Sequence, residues 1–150
     1  MRTANHIIIE APWRKVFDAA ARVERWPALL AHYRWVKVLS GWNRSKRRTV
    51  DMAAWRDGFP CRWVSEQVLH PRTRKVYFLH IRSFWTQGME VWWIFRPKGP
   101  RRTEVILTHD MDDPTFPPHR WFLQHIVGNL FVHNIAGKTM AGLKRHLEAK

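Results

Sequence analysis

The sequence is short of cysteine and of acids. One thiol, Cys61, stands among 150 residues, which excludes an intramolecular disulfide framework and any cysteine-based metal cluster. No apolar run reaches the roughly 18 residues of a membrane-spanning helix, and the N-terminus lacks the roughly 7–15-residue apolar core of a signal peptide. A soluble, cytoplasmic chain is expected. There is no glycine-rich phosphate loop and no Gly-x-Ser-x-Gly elbow. His119, His125 and His133 miss the i, i+4 spacing of a zinc site, and no Ca²⁺-loop pattern follows Asp110, Asp112 and Asp113. No metal or cofactor is expected. Repeats, low-complexity tracts and linkers are missing too, so residues 1–150 read as a single ligand-binding domain, near the usual domain size of about 100–150 residues.

What is present in excess is positive charge and tryptophan. Lys plus Arg number 26 against 12 Asp plus Glu, a formal charge of +14, and there are ten tryptophans. The densest basic groups are Arg44–Arg48, Arg72–Lys75 and Lys98–Arg102. Each falls at an expected hairpin turn, where charge is readily solvated. Zinc-finger spacing, Arg/Gly-rich tracts and the aromatic motif of RNA-recognition domains are lacking. Specific nucleic-acid binding is therefore not expected, and an acidic protein or anionic substrate is the better partner for this charge.

Periodicity gives the order of elements. Thr3–Glu10, with Ile7, Ile8 and Ile9, predicts a strand. Pro12 then opens a helix over Trp13–Arg22 with Val16, Phe17 and Ala20 on one face. A second short helix is expected over about Val23–His32. Six strands follow at Arg34–Trp42, Arg47–Trp55, Arg62–Leu69, Lys75–Phe84, Met89–Phe95 and Glu104–Met111, joined by short turns that imply an antiparallel meander. From about His119 to Leu147 a stripe of Phe122, Ile126, Leu130, His133, Ala136, Met140, Leu143 and Leu147 predicts one long helix. The expected class is α+β: a seven-stranded curved antiparallel sheet wrapped around a long C-terminal helix, with two short helices after the first strand.

The stretch Ile9-Glu10-Ala11-Pro12-Trp13, followed by Arg25-Trp26-Pro27, resembles the start of START-like (SRPBCC), helix-grip proteins. Trp63-Val64-Ser65-Glu66, His70-Pro71-Arg72-Thr73-Arg74 and Gly88-Met89-Glu90-Val91 with Trp93 are similar to bacterial polyketide aromatase/cyclases. The resemblance covers nearly the whole chain and is weakest from Phe116 to Asn129. It implies a cavity between sheet and long helix that holds a hydrophobic molecule, here a poly-β-ketone delivered on an acidic acyl carrier protein. Carried over by position, it implies pocket residues Trp26, Tyr33, Trp63, Ser65, Met89 and Trp93. The pocket arginine of the family would lie two residues after the serine, where this chain has Gln67, a neutral amide.

Strand alternation gives an independent route to the cavity. With Trp63, Ser65 and Gln67 facing inward, the next strands would add Val76, Phe78, His80 and Arg82, then Met89, Val91, Trp93 and Phe95, then Val105, Leu107, His109 and Met111. Polar members in such an aromatic chamber need partners. An aldol-type closure must remove a C–H proton and polarise a carbonyl oxygen. A buried imidazole suits this, making His80 and His109 the candidates, with Tyr33 as proton donor and His133 on the helix stripe. Trp26, Trp63, Ser65, Gln67, Phe78, Arg82, Met89, Trp93 and Leu107 are the candidate ligand-binding residues. Two functions stay open: a cyclase or dehydratase, or a non-catalytic carrier of lipid, isoprenoid or quinone, as in coenzyme Q-binding relatives. For either, an acidic carrier protein or an anionic membrane surface is the expected partner, docked on basic turns flanking the cavity mouth.

Overall fold

The computed structural model describes residues 2–56, 58–83, 86–112 and 132–149. Strand β1 (Arg2–Ile9) leads into helix α1 (Trp13–Ala21), a 3-10 turn (Val23–Arg25) and the one-turn helix α2 (Trp26–Leu29). Six strands follow: β2 (Tyr33–Ser40), β3 (Arg47–Arg56), β4 (Phe59–His70), β5 (Lys75–Ser83), β6 (Glu90–Gly99) and β7 (Arg102–Asp110). Helix α3 (His133–Glu148) closes the chain. The sheet order is β1-β7-β6-β5-β4-β3-β2, with every pairing antiparallel. Sheet and helices form the expected α+β helix-grip arrangement. The N-terminal part of the expected long helix, from His119 through Phe131, lies outside the described residues.

Three local differences have physical causes. The expected helix over Val23–His32 is a 3-10 turn and a single α-turn, because Leu30 already adopts extended backbone (φ −125, ψ 107). Strand β4 starts at Phe59 instead of Arg62. Gly58 takes a left-handed φ of 86 and lets the chain reverse within a tight turn, so that Trp55 pairs with Pro60 and Arg56 with Phe59. Strands β6 and β7 likewise pair up to Gly99 and Arg102, with Gly99 at φ 157.

The core sits on the concave face. Val50, Met52, Val76, Phe78, Val91, Trp93, Phe95, Val105 and Leu107 are all buried there. Each such side chain contributes roughly 1.5–3 kcal/mol on leaving water. Helix α1 packs on β5, β6 and β7, whereas α3 lies against β1, β3 and α1. Gly142 of α3 lies where a Cβ would run into Leu30, just after α2. The small residue in the closing helix thus accommodates the short helical segment, not the sheet.

Candidate functional site

A cavity of about 380 Å³ lies between the sheet and α3. Its walls come from Trp26, Tyr33, Met52, Trp63, Phe78, Met89, Val91, Trp93 and Leu107, with Val132, Ile135, Ala136 and Thr139 as the helical side. Around it the rings interlock: Trp26 meets Tyr33 edge-on at 5.1 Å, Tyr33 meets Trp63 at 6.2 Å, and Trp26 lies 5.9 Å from Trp93. Trp26 is fixed by donating its indole N–H to the Ala19 carbonyl at 3.0 Å.

The polar groups are few and specific. His80 stacks on Trp63, with centroids 5.7 Å apart and planes at 12°. Its Nδ1 lies 2.8 Å from Thr86 Oγ1, which donates in turn to Ser83 Oγ at 2.8 Å. With the Thr86 proton so committed, its oxygen receives the His80 Nδ1–H, and Nε2 keeps a free lone pair. Burial, helped by neighbouring His109, pushes His80 down to about 3. His109 lines the same cavity and is pushed down to about 3 by burial and by His133. Its Nδ1 is buried with no hydrogen-bond partner. Both imidazoles are neutral at pH 7. Burial raises the Tyr33 phenol well above its ordinary range, opposed only in part by its hydrogen bond with Thr139. A phenol held that firmly is a hydrogen-bond donor to an oxyanion, not a source of phenolate.

Of the residues expected at the site, Trp26, Tyr33, Trp63, Phe78, His80, Met89, Trp93, Leu107 and His109 line this cavity. Four others are placed elsewhere. Arg82 faces solvent, because Val64 pairs with Arg82 while Ser65 pairs with His80, which leaves Ile81 as an extra residue in β5. That bulge reverses the alternation, and Ser83 points inward in place of Arg82. His133 is exposed. The expected stripe holds at Ala136, Met140 and Leu143, which are buried, but at the start of the helix it is Val132, one residue or about 100° before His133, that continues it. Ser65 is fully buried beside the His80 register, does not line the cavity, and has an Oγ with no hydrogen-bond partner.

Gln67 is the fourth. It is fully buried, accepts from Arg48 Nε at 2.7 Å and donates to the Ala21 carbonyl at 2.8 Å. Arg48 itself is 4% exposed, bonded to Glu24 at 2.6 Å and to the Ala21 carbonyl, with Trp42 over its guanidinium at 4.3 Å. Arg48 therefore leaves the solvated turn expected for it and ties β3 and β4 to the end of α1. The cation next to Gln67 is committed to structure and does not reach the cavity. Sequence reasoning missed Thr86, Ser83 and Thr139. Thr139 sits three residues after Ala136 on the stripe and was within reach of helical periodicity. Thr86 lies in a turn that carries no pattern.

The cavity mouth is framed by the β3–β4 hairpin (Phe59, Pro60, Cys61, Arg62), by Ser83 and Thr86 between β5 and β6, and by His109 near the end of β7. In a sheet of sequential antiparallel strands, alternate hairpins point to opposite ends. The basic turns after β2, β4 and β6 are therefore at the end away from these mouth residues, and do not flank the opening.

The polyketide cyclase / dehydrase and lipid transport family model matches residues 9–138. The chain belongs to that family. It is 33% identical over 119 residues to the granaticin polyketide synthase bifunctional cyclase/dehydratase of Streptomyces violaceoruber, covering 75% of this chain and 36% of that protein. It spans about a third of the length of this and of the corresponding actinorhodin protein of Streptomyces coelicolor. Among solved structures, the Zhui aromatase/cyclase from Streptomyces sp. R1128 superposes with a TM-score of 0.79 at 17% identity, covering 99% of this chain and 96% of that one. A START superfamily protein from Mycobacterium smegmatis superposes at 0.73 with 10% identity, covering 98% and 97%. At these identities the structural matches establish the fold alone.

Proposed function

We propose that this family member binds a poly-β-ketone in its cavity and catalyses ring closure there. The observation that carries the reading is a pair of neutral imidazoles, the buried His80 and the partly buried His109, lining one cavity whose other walls are mostly aromatic and aliphatic. One imidazole nitrogen takes the acidic C–H proton between two carbonyls. The electron pair left on carbon attacks a second carbonyl carbon to form the C–C bond. The resulting alkoxide oxygen takes its proton from the imidazolium just formed, while Tyr33 Oη–H stabilises the charge as it develops. Loss of water from the new ring then follows by the same base. An acidic acyl carrier protein presenting the chain would meet exposed Arg34, Arg62 and Arg82 near the mouth.

A second reading, non-catalytic carriage of a lipid, isoprenoid or quinone, is favoured by the commitment of Arg48 and Gln67 to each other and to α1. Among the described residues the one arginine lining the cavity, Arg62 at its mouth, is paired with Asp51, so no unpaired cation is left there to clamp a carbonyl. The experiment is a triple substitution, Tyr33→Phe with His80→Gln and His109→Gln, assayed for cyclised product from a poly-β-ketone surrogate. Loss of roughly 10²-fold or more supports catalysis. Unchanged product formation, with a co-purifying apolar molecule seen by native mass spectrometry, leaves the carrier.

A further inference from the structure

The end of the sheet opposite the cavity mouth gathers charge from three hairpins. Because the strands from β2 to β7 are sequential neighbours, the β2–β3, β4–β5 and β6–β7 turns stand in a row, each two strand spacings, or about 10 Å, from the next. The start of α1 joins them, since Arg14 and Arg74 both stack on Trp13, at 5.0 and 5.2 Å. Acids near these turns are already held: Glu10 by Arg102, Glu66 by Arg47, and Glu104 by His6 and Lys98. Among the described residues no acid lies within ion-pair distance of Arg44, Lys46, Arg72, Arg74 or Arg101. By contrast Glu90, Asp110 and Asp112 stand toward the mouth end.

Two further features distinguish this end from a solvated coat. Lys46 and Arg74 sit at φ 55 and 57, a left-handed conformation that glycine or asparagine adopts more readily. A long cation thus stands at two turn positions where the backbone favours another residue. Beside the first hairpin, Leu39 is 56% and Trp42 44% exposed, so apolar side chains stand among the cations.

We infer that this end docks on an anionic lipid bilayer, the cations meeting headgroups and Leu39 and Trp42 entering the interface, with the cavity mouth turned away from the membrane. A row of tips with apolar side chains among them fits a flat, amphiphilic, negatively charged surface. A nucleic-acid duplex would use the cations and leave Leu39 without a role. The inference does not depend on what the cavity holds.

The test is co-sedimentation of the full chain with phosphatidylcholine vesicles with and without phosphatidylglycerol. Binding is expected only to the anionic vesicles. The double substitution Lys46→Gly with Arg74→Gly is expected to weaken partition about tenfold or more, while its melting temperature holds or rises because glycine relieves both turns. Leu39→Ser should weaken vesicle binding and leave any binding to random DNA unchanged. Vesicle-bound protein should still take up a hydrophobic fluorescent probe. Equal partition of parent and double variant overturns the proposal, as does tighter binding to duplex DNA or to an acidic carrier protein at the same salt. Loss of probe uptake on the vesicle overturns the orientation.

Discussion

Trp63 shows how a single side chain divides its work. It is half-buried, one face stacked on His80 and its edge toward Tyr33. Trp63→Ala should therefore reduce affinity for a hydrophobic probe by about tenfold, with a stability loss below the roughly 3–5 kcal/mol of a fully buried tryptophan. Titration compared with thermal melts checks this, and a collapse in stability at unchanged affinity would return Trp63 to the core. The buried imidazoles predict a pH dependence. His80 and His109 are pushed down to about 3, and burial together with Lys138 pushes His32 down to about 4. Between those values and the ordinary 6.5, the unfolded chain binds protons that the folded one refuses. Stability is then full above about pH 6.5 and falls as the pH drops, by up to about 1.4 kcal/mol per unit for the buried His80 and by less for the partly exposed His32, which solvent screens. Melts from pH 7.5 to 4.5 should show this slope, and His80→Gln should flatten it. A melting temperature indifferent to pH in both proteins would contradict the burial. The two histidines were legible in the sequence because period-two alternation reaches both from apolar neighbours. Thr86, the partner of His80, was not, since a hydroxyl in a turn follows no period.

Whole elements were readable wherever one face is dry. All six strands after α2 appear near their expected places; β3 to β7 each carry a buried apolar row, whereas the edge strand β2 buries only Tyr33 and is bounded by its turn signals. The failures occur where the period is interrupted or mis-phased. One extra residue at Ile81 turned Arg82 outward, and at the start of the closing helix Val132 takes the buried place expected of His133, although Ala136, Met140 and Leu143 keep the expected phase. The Arg48–Gln67 link is invisible to local patterning for another reason: it joins residues 19 apart in the chain. Its weight can be measured. Arg48→Met leaves Gln67 Oε1 and one bond of the Ala21 carbonyl without their donor, so a loss of about 3 kcal/mol is expected in denaturant unfolding. A change below about 0.5 kcal/mol would make the link ornamental. Gly142→Ala drives a methyl into buried Leu30 and should cost about 1–3 kcal/mol. An unchanged midpoint would mean that α2 and α3 have room to part.

At the scale of the molecule, net charge was legible and its placement was not. The sequence shows three basic turns, but which end of the sheet they occupy depends on counting strands, a property of topology and not of any segment. The same strand order bears on how the chain acquires its shape. The ladders from β2 to β7 are built from consecutive hairpins that close short loops. The β1–β7 ladder instead joins distant parts of the chain; Arg102 meets Glu10 across 92 residues. Loop-closure entropy makes such a contact expensive until the rest is in place. The first strand is then the last to dock, and truncations along β1 should act on one limb of the kinetics. Ile9→Ala is expected to accelerate unfolding while leaving the refolding rate nearly unchanged, whereas Val76→Ala in the central hairpin should slow refolding. Stopped-flow chevrons of the two variants would show it, and slowed refolding for Ile9→Ala would place the first strand in the nucleus.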